Sequence, residues 1–398
     1  MHQVLPLGAA TQVPRAAALD IRFRQVSAKT TWAFLRLTLS NGAEGFGEVT
    51  DFGNEAALAA EAIALAARIA TDRPAVMAGT LGLLAGRQVG QARDGLRSGL
   101  EQAMLDAMAR SADMPLAVLL GGAWRDRVPA YANINRGIAD RSPDGFAARA
   151  AAVVATEGYR AIKIAPFDGY RWNADPDPAR LAAGLARVAA VRAAVGPAMR
   201  IMVDCHARFD AATARAVIDA LAPHAPFWIE DPVDSRRTPP EDQRALRAAA
   251  HHHGIRIAGG EAITDHASAQ DAFRIGGCDV ILPDLRQTGI RRGMQILEVA
   301  VSQGIAASLH NPVGPVLDAV SRHVAAALPG FLILERQVRE TPLFAAIAGA
   351  DDMPDAEGMV GLGTGAGIGL VPDLSACTPT PPIAAGHFVG MAGAGPDA

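Results

Sequence analysis

Residues 201–232, IMVDCHARFDAATARAVIDALAPHAPFWIEDP, contain the repeating unit that decides the fold. A short apolar run ends at Asp204, an alanine-rich segment follows, and a second apolar run ends at Glu230. Similar runs, each followed by a stretch with helical spacing, occupy residues 128–134, 161–164, 201–203, 227–229, 255–258, 280–282, 305–309 and 331–334. Eight strands alternating with helices predict an α/β fold of the TIM type, a parallel (β/α)8 barrel.

A doubly wound parallel sheet is the alternative arrangement of the same elements. It calls for a glycine-rich phosphate-binding turn after its first strand. Here the first run is followed by Asn135-Arg136-Gly137, which is not such a turn. The barrel is therefore the preferred prediction.

The residues before the barrel mix strand and helix signals. Asn41-Gly42 is a hairpin signal between two extended segments, and helical periodicity begins near Ala56 and ends at Gly121-Gly122. We predict three parts. They are an α+β capping domain over residues 1–127, a catalytic barrel over residues 128–335, and a C-terminal segment, residues 336–398, that completes the cap and ends in a flexible tail.

Composition excludes several classes of protein. The 398 residues carry 37 basic and 41 acidic side chains, a net charge of −4, so there is no basic field for nucleic acid or anionic lipid. The apolar stretches are interrupted by charges, which argues against a membrane span, and the first residues do not resemble a signal peptide. Three widely spaced cysteines do not form a disulfide framework. These features predict a cytoplasmic enzyme.

Ionisable residues stand at the ends of seven of the apolar runs. They are Lys163, Asp204, Glu230, Glu261, Asp284, His310 and Glu335. From Asp204 onward the spacings are 26, 31, 23, 26 and 25 residues, about one strand–helix unit each. A barrel brings the carboxyl ends of its strands to one mouth, so we expect these side chains to converge there.

Three of these residues predict a metal site. Asp204, Glu230 and Glu261 are carboxylates that would repel one another without a cation, and an all-oxygen ligand set suits Mg²⁺. Zinc would call for His or Cys, and Cys205 lies on the opposite side of its strand from Asp204. The alternative for each carboxylate alone is a helix N-cap or a surface ion pair.

Asp284 and His310 end adjacent strands and predict an acid–base pair. A neighbouring carboxylate raises the pKa of an imidazole and fixes its tautomer, which suits a general base near neutral pH. The alternative for His310 is a structural histidine that caps the Asn311-Pro312 turn.

These motifs resemble the enolase superfamily, specifically its mandelate-racemase-like branch. The resemblance rests on GLEQAMLDAMARSADMPLAVLLGG before the barrel and on VDCH, WIEDP, GGEAIT, LPD and SLHNPVGP within it. It implies a modified (β/α)7β barrel and Mg²⁺ held by Asp204, Glu230 and Glu261. In that family the metal binds the substrate carboxylate and stabilises the enediolate that follows α-proton abstraction. The resemblance also implies a His310–Asp284 dyad, and Glu335 as the acid that hydrogen-bonds the substrate carboxylate.

One departure from the family pattern reduces the number of reactions that we expect. Many relatives carry Lys-x-Lys at the end of the second strand, whereas this chain has Lys163 followed by Ala165. A two-base racemase is therefore disfavoured. His206, two residues after Asp204, resembles the general acid of galactonate- and mannonate-type dehydratases.

The preferred function is Mg²⁺-dependent dehydration of a sugar acid to a 2-keto-3-deoxy acid. His310 is predicted to remove the α-proton, His206 to protonate the leaving hydroxyl, and Lys163 to neutralise charge on the substrate. The alternatives are a racemase, epimerase or cycloisomerase of the same superfamily, a Schiff-base enzyme using Lys163, and a non-catalytic barrel that binds sugar acids.

Further contacts are predicted at the barrel mouth. Asn135 and Arg136 are candidate substrate-binding residues, although Arg136 could equally form a salt bridge. Cap loops 24–31 and 49–54 are expected to close over the mouth and set specificity, as in the family. The His251-His252-His253 tract is interpreted as solvated histidines at a helix end rather than as metal ligands. The resemblance to the family also implies a homo-oligomer.

Overall fold

The computed structural model describes most of the chain. The described residues are 14–27, 30–50, 53–84, 91–174, 176–338, 340–349 and 353–381. The predicted flexible tail lies, from residue 382 onward, outside the described residues.

In the described residues of the N-terminal part, there are an antiparallel sheet and four helices. The strands are β1 (Ala16–Gln25), β2 (Thr31–Leu39) and β3 (Glu44–Glu48), and the helices are α1 (Glu55–Asp72), α2 (Ala78–Gly82), α3 (Gln91–Ser111) and α4 (Leu116–Leu119). Asn41-Gly42 forms the predicted β2–β3 turn, where Gly42 has φ +86°. The predicted helix over the segment before Gly121-Gly122 is two helices, because α3 already ends at Ser111 and Asp113 takes the left-handed conformation.

Eight parallel strands follow and close into a barrel. They are β4 (Arg127–Asn133), β5 (Ala161–Ile164), β6 (Arg200–Asp204), β7 (Trp228–Glu230), β8 (Arg256–Gly259), β9 (Val280–Ile281), β10 (Ala306–Leu309) and β11 (Phe331–Gln337). Each strand pairs with the next, and β11 pairs in parallel with β4, which closes the ring. The predicted TIM-type barrel with an N-terminal capping domain is confirmed.

Helices connect the barrel strands and cover them. They are α5 (Pro143–Glu157), α6 (Pro178–Val195), α7 (Ala211–Leu221), α8 (Pro240–His252), α9 (His266–Ile275), α10 (Leu285–Thr288), α11 (Ile290–Ser302), α12 (Pro315–Ala327) and, after β11, α13 (Leu343–Ala348). Asp177, Asp210 and Asp265 cap three of them by accepting backbone N–H bonds, which explains part of the acidic content between strands.

The barrel interior is filled in layers that set the position of the polar residues. One buried cluster consists of Tyr131, Ala161, Met202, Trp228, Ala258, Val280, Leu282 and Ile333, with partly buried neighbours. Side chains alternate along a strand, so the residue two positions later points into the same interior, one layer closer to the mouth. Lys163, Asp204 and Glu230 stand two residues after Ala161, Met202 and Trp228.

The C-terminal part of the chain contacts both the barrel and the N-terminal part. Strand β12 (Met359–Gly361) pairs antiparallel with β4, and Phe23 exchanges backbone hydrogen bonds with Thr378. The Leu116 N–H donates to the carbonyl of Gly367 at 2.7 Å. In the part of the chain that the structure describes, no helix combines the length and apolar character needed to cross a membrane.

Candidate active site

A buried ammonium lies at the centre of the barrel mouth. Lys163 is 1% exposed, and its Nζ lies 2.8 Å from Glu230 Oε1, 2.9 Å from Glu335 Oε1 and 3.6 Å from Asp204 Oδ2. The same Nζ lies over the Tyr131 ring of the layer beneath, 5.9 Å from the ring centroid. Four strands thus bring together residues separated by up to 172 positions, as the barrel geometry predicts.

The cluster around Lys163 contains more carboxylates than cationic groups. Burial disfavours the charge on Lys163, but Glu230 and Glu335 outweigh that effect and raise its pKa well above the usual lysine value. Burial, together with the neighbouring carboxylates, raises the pKa of Glu230 to about 7, although Lys163 opposes this shift. Lys163 therefore remains an ammonium, and negative charge stays in excess around it.

His206 lies beside Asp204 on the same side of the mouth. Its Nε2 is 3.1 Å from Asp204 Oδ2, and the backbone N–H of His206 donates to Asp204 Oδ1 at 3.0 Å. Burial lowers the pKa of His206, but the Asp204 charge and hydrogen bond outweigh this and raise it. His206 (φ +50°) and Ala207 (φ +54°) both adopt the left-handed conformation, which is costly for non-glycine residues and turns the imidazole back toward Asp204.

His310 and Asp284 form a hydrogen-bonded pair at the ends of neighbouring strands. His310 Nδ1 lies 2.9 Å from Asp284 Oδ2, and since a carboxylate accepts, Nδ1 carries the proton. The Arg286 Nε donates to both oxygens of Asp284, at 3.0 and 2.9 Å, and holds the pKa of that carboxyl well below its usual range despite burial. His310 Nε2 faces Glu261 Oε2 at 3.2 Å. Burial lowers the pKa of His310, but Glu261 and Asp284 raise it to about 9.

The predicted metal ligands end adjacent strands but contact cationic side chains. Asp204, Glu230 and Glu261 face His206, Lys163 and His310 respectively, and within the described residues no three potential ligands are arranged to hold a metal ion as they stand. The chemistry of the set nevertheless fits Mg²⁺. Its donors are all carboxylate oxygens, and the excess negative charge that raises the pKa of Glu230 is what a divalent cation would compensate. The magnesium site stays a prediction.

Sequence reasoning missed Asp231, which follows Glu230 directly. Burial, then the charges of Glu261 and Glu230, raise the pKa of Asp231 well above its usual range. Its Oδ1 approaches Gly259 so closely that a Cβ there would lie 2.5 Å away, which explains the glycine. The one sequence signal for Asp231 is its place in the WIEDP motif, directly after the predicted metal ligand Glu230.

The two candidate substrate residues of the first barrel loop are bound to the protein itself. The Asn135 side chain donates to Asn133 Oδ1 at 2.9 Å and accepts from the backbone N–H of Ala165 at 2.5 Å. Arg136 Nη1 lies 2.9 Å from Glu340 Oε2, so the salt-bridge alternative describes its geometry. A role in substrate binding stays a prediction for both.

The first predicted cap loop contacts the C-terminal segment at two places. Thr30 Oγ1 donates to Glu340 Oε1 at 2.7 Å, shortly after β11, and Arg24 donates to the carbonyl of Ala376. Lys29 of the first predicted loop and Asp51 of the second lie outside the described residues.

Family profiles match this chain on both sides of the predicted domain boundary. The profile described as Mandelate racemase / muconate lactonizing enzyme, N-terminal domain matches residues 9–121, and the one described as Enolase C-terminal domain-like matches residues 145–376, more than half of the chain. The chain belongs to the mandelate racemase/muconate lactonizing enzyme family. The resemblance to the enolase superfamily is thereby confirmed.

Curated relatives within this family are named sugar-acid dehydratases. D-gluconate dehydratase of Thermoproteus tenax is 35% identical over 60% of this chain and 46% of its own length. D-galactonate dehydratase of Ralstonia nicotianae is 31% identical over 57% and 56%, and D-xylonate dehydratase of Haloferax volcanii is 28% identical over 70% and 68%. The chain thus spans about half the length of the first two.

Solved structures share the fold of this family member. One is a member of the enolase superfamily from Salmonella Typhimurium, at 22% identity and a TM-score of 0.78, covering 92% of this chain and 98% of that one. Another is a mandelate racemase/muconate lactonizing enzyme-like protein from Roseovarius sp. TM1035, at 25% identity and a TM-score of 0.76, covering 91% and 94%.

The histidine tract of this family member lies away from the mouth. His251 Nε2 pairs with Asp279 at 2.8 Å, and His253 Nε2 pairs with Asp219 at 2.9 Å. These contacts support the interpretation of a partly solvated helix end.

Proposed function

We propose that this protein is a Mg²⁺-dependent dehydratase of sugar acids, acting on five- or six-carbon aldonates. The observation that carries the proposal is a pair of imidazoles, each held by its own aspartate: His310 by Asp284 and His206 by Asp204. An elimination needs a base for the α-proton and an acid for the departing hydroxyl, and two imidazoles in different electrostatic settings supply both. The names of the curated relatives support the substrate class.

His310 is the proposed general base. Because Nδ1 donates its proton to Asp284, the neutral ring carries its lone pair on Nε2, the atom that faces the mouth. Glu261 is the largest of the influences that raise the pKa of His310. A Glu261 engaged as a metal ligand would leave the ring neutral at lower pH, which suits proton abstraction.

His206 is the proposed general acid. Its Nε2 lies 3.1 Å from Asp204 Oδ2, so this carboxylate is placed to orient the ring and to stabilise the imidazolium. This cation would transfer its proton to the β-hydroxyl, which leaves as water when the C–O bond breaks. The remaining enol tautomerises to the 2-keto-3-deoxy acid, so the reaction consumes no external reagent.

Asp204, Glu230 and Glu261 are the residues that would hold Mg²⁺, and the bound ion would supply Lewis-acid polarisation of the substrate carboxylate. Lys163 and Glu335 would lie against the same carboxylate, the first supplying charge and the second a hydrogen bond. The raised pKa of Lys163 argues against a Schiff-base role, which requires a neutral amine.

Position 165 argues for elimination over racemisation. Racemisation exchanges protons on both faces of the α-carbon, and the second lysine of the family motif is replaced here by Ala165, whose backbone is fixed by Asn135. A methyl group cannot carry a proton to the opposite face.

The test is a screen of purified protein with Mg²⁺ against a panel of aldonic acids in D₂O. We expect a 2-keto-3-deoxy product from at least one acid, and loss of turnover by at least about 10²-fold in His310→Asn and His206→Asn. Deuterium incorporation at the α-carbon without elimination would replace the proposal with epimerisation. Turnover unchanged in His310→Asn would overturn the mechanism.

A further inference from the structure

Strand β3 of the cap ends in Glu48, a carboxylate that is fully buried against the barrel. Glu48 Oε1 accepts the backbone N–H of Gly314 at 2.7 Å, and Oε2 accepts that of Leu317 at 3.1 Å. These N–H groups lie at the start of α12, so a residue of the cap serves as the N-terminal cap of a barrel helix. The loop that it holds, residues 310–314, begins with His310.

The absence of a side chain at Gly314 makes this contact possible. A Cβ at position 314 would lie 2.9 Å from both oxygens of Glu48 and 3.0 Å from the Trp32 ring. The φ of Gly314 is −82°, so the glycine serves close approach and not an unusual backbone conformation. The carboxylate and the loop are therefore in tight contact.

A second route connects Glu48 to the same histidine. Thr50 Oγ1 donates to Glu48 Oε1 at 2.8 Å, and the Thr50 carbonyl lies 3.5 Å from Arg286 Nη1. Arg286 in turn donates to Asp284, which bonds His310. The cap thus reaches the imidazole through its aspartate partner as well as through the loop behind it.

On these contacts, and resting on the proposed function, we propose that Glu48 is a positioning residue that holds His310 in place for α-proton abstraction. It touches neither the substrate nor the reacting atoms. It fixes the loop after His310 directly and, through Thr50 and Arg286, the orientation of Asp284. A shift of the base by about 1 Å is enough to cost about 10²-fold in rate.

The test compares Glu48→Gln with a matched control, Asp106→Asn. Glu48→Gln keeps the shape but replaces one acceptor oxygen by an amide that cannot accept. Asp106 is also a fully buried cap carboxylate that accepts two backbone N–H bonds, but these come from Phe46 and Ile368, away from the 310–314 loop. Both variants lose stability, so only an effect specific to Glu48 reports on positioning.

For Glu48→Gln we expect kcat to fall about 10- to 100-fold with KM within about 3-fold of wild type, and the isotope effect with α-deuterated substrate to rise. The amides of Gly314 and Leu317 should exchange hydrogen faster, and carbethoxylation of His310 by diethyl pyrocarbonate should accelerate relative to His252. Asp106→Asn should change none of these quantities. If Glu48→Gln does not fold, Thr50→Val is measured in the same way.

The two structural readouts separate this proposal from the proposed function, because amide exchange and His310 modification need no turnover. If no acid is turned over, these readouts alone decide the role of Glu48. Equal behaviour of Glu48→Gln and Asp106→Asn would overturn the proposal. So would a loss of kcat without a change in exchange or modification, since Glu48 would then act by another route.

Discussion

At the scale of single residues, two of the aspartate–histidine pairs among the described residues differ in their surroundings. In one, Asp284 is buried and Nε2 of its partner His310 faces other ionisable groups of the mouth. In the other, Asp279 binds His251 at 2.8 Å near the surface and also receives Arg247 at 2.7 Å. We therefore expect such a pair to act chemically only where the second ring nitrogen faces the mouth of the barrel.

This contrast gives a test of the His310–Asp284 pair. Asp284→Asn should lower kcat by about 10²- to 10⁴-fold, because the amide neither fixes the tautomer of His310 nor stabilises its protonated form. Asp279→Asn should leave kcat within about 3-fold of wild type. Steady-state kinetics on the accepted sugar acid measures both. Equal activity of Asp284→Asn and Asp279→Asn would mean that His310 does not act through its aspartate.

Most candidate site residues could be found from the sequence, because barrel topology turns a spacing of 23 to 31 residues into proximity. Glu48 could not be found in this way. Its partner Gly314 is 266 positions away in the other part of the molecule, and no periodicity relates a cap strand to a barrel loop. The role of Arg286 could not be predicted either, since the sequence does not show that its guanidinium binds the carboxylate of Asp284.

At the scale of elements, helix α12 is unusual because all of its residues are buried, including polar ones. The cap elements α4 and β3 and the C-terminal helix α13 pack on α12 in addition to the barrel strands β4 and β11. Sequence periodicity could place this helix, but not its burial, because the covering residues come from distant parts of the chain.

His323 on α12 should make stability depend on pH. Its Nδ1 accepts the N–H of Ala117 at 3.2 Å, and burial, then Arg322, lower its pKa from 6.5 to about 4. Between pH 6.5 and 4 the unfolded chain binds a proton that the folded chain does not. The free energy of unfolding should therefore fall as the pH decreases through that window, by at most about 3 kcal/mol.

Urea denaturation between pH 7 and 4 measures this effect. His323→Gln should flatten the pH dependence, whereas the exposed His252→Gln should preserve it. An unchanged slope in His323→Gln would show that other groups control acid stability.

A second prediction concerns the ion pair between α12 and β11. Arg336 Nε and Nη2 donate to the two oxygens of Asp318, each at 3.0 Å, and both side chains are buried. Arg336→Met should lower the free energy of unfolding by about 3–5 kcal/mol, because it leaves a buried carboxylate without its main partner. Arg336→Met/Asp318→Leu should recover most of that loss in urea denaturation. Equal destabilisation of the single and double variants would contradict this account.

At the scale of the whole molecule, the cap and the barrel share buried polar contacts as well as apolar surface. Besides Glu48, the cap residue Glu101 accepts the N–H of Ile290 at 2.9 Å at the start of α11. We therefore expect the two parts to unfold together, so that a ligand bound at the mouth stabilises both.

Magnesium should raise the melting temperature of the entire protein in one transition. At 100 times its Kd, a ligand specific for the folded state contributes about 2.7 kcal/mol, which corresponds to a shift of about 3 °C for a chain of this size. Calorimetry with Mg²⁺ and with EDTA measures the shift. Glu230→Gln should abolish it and Glu101→Gln should retain it, and a full shift in Glu230→Gln would place the ion elsewhere.

The burial of α12 has a consequence for any effort to engineer the protein. A library randomised over residues 315–327 should return few functional clones. This holds even at Asp318, Ser321 and Arg322, whose polar side chains are typical of tolerant surface positions but are buried here. Variation is better directed to the outer faces of α1 and α9, where most side chains are solvent-accessible. For a designer, the polar residues of that segment therefore belong with the core positions and not with the surface.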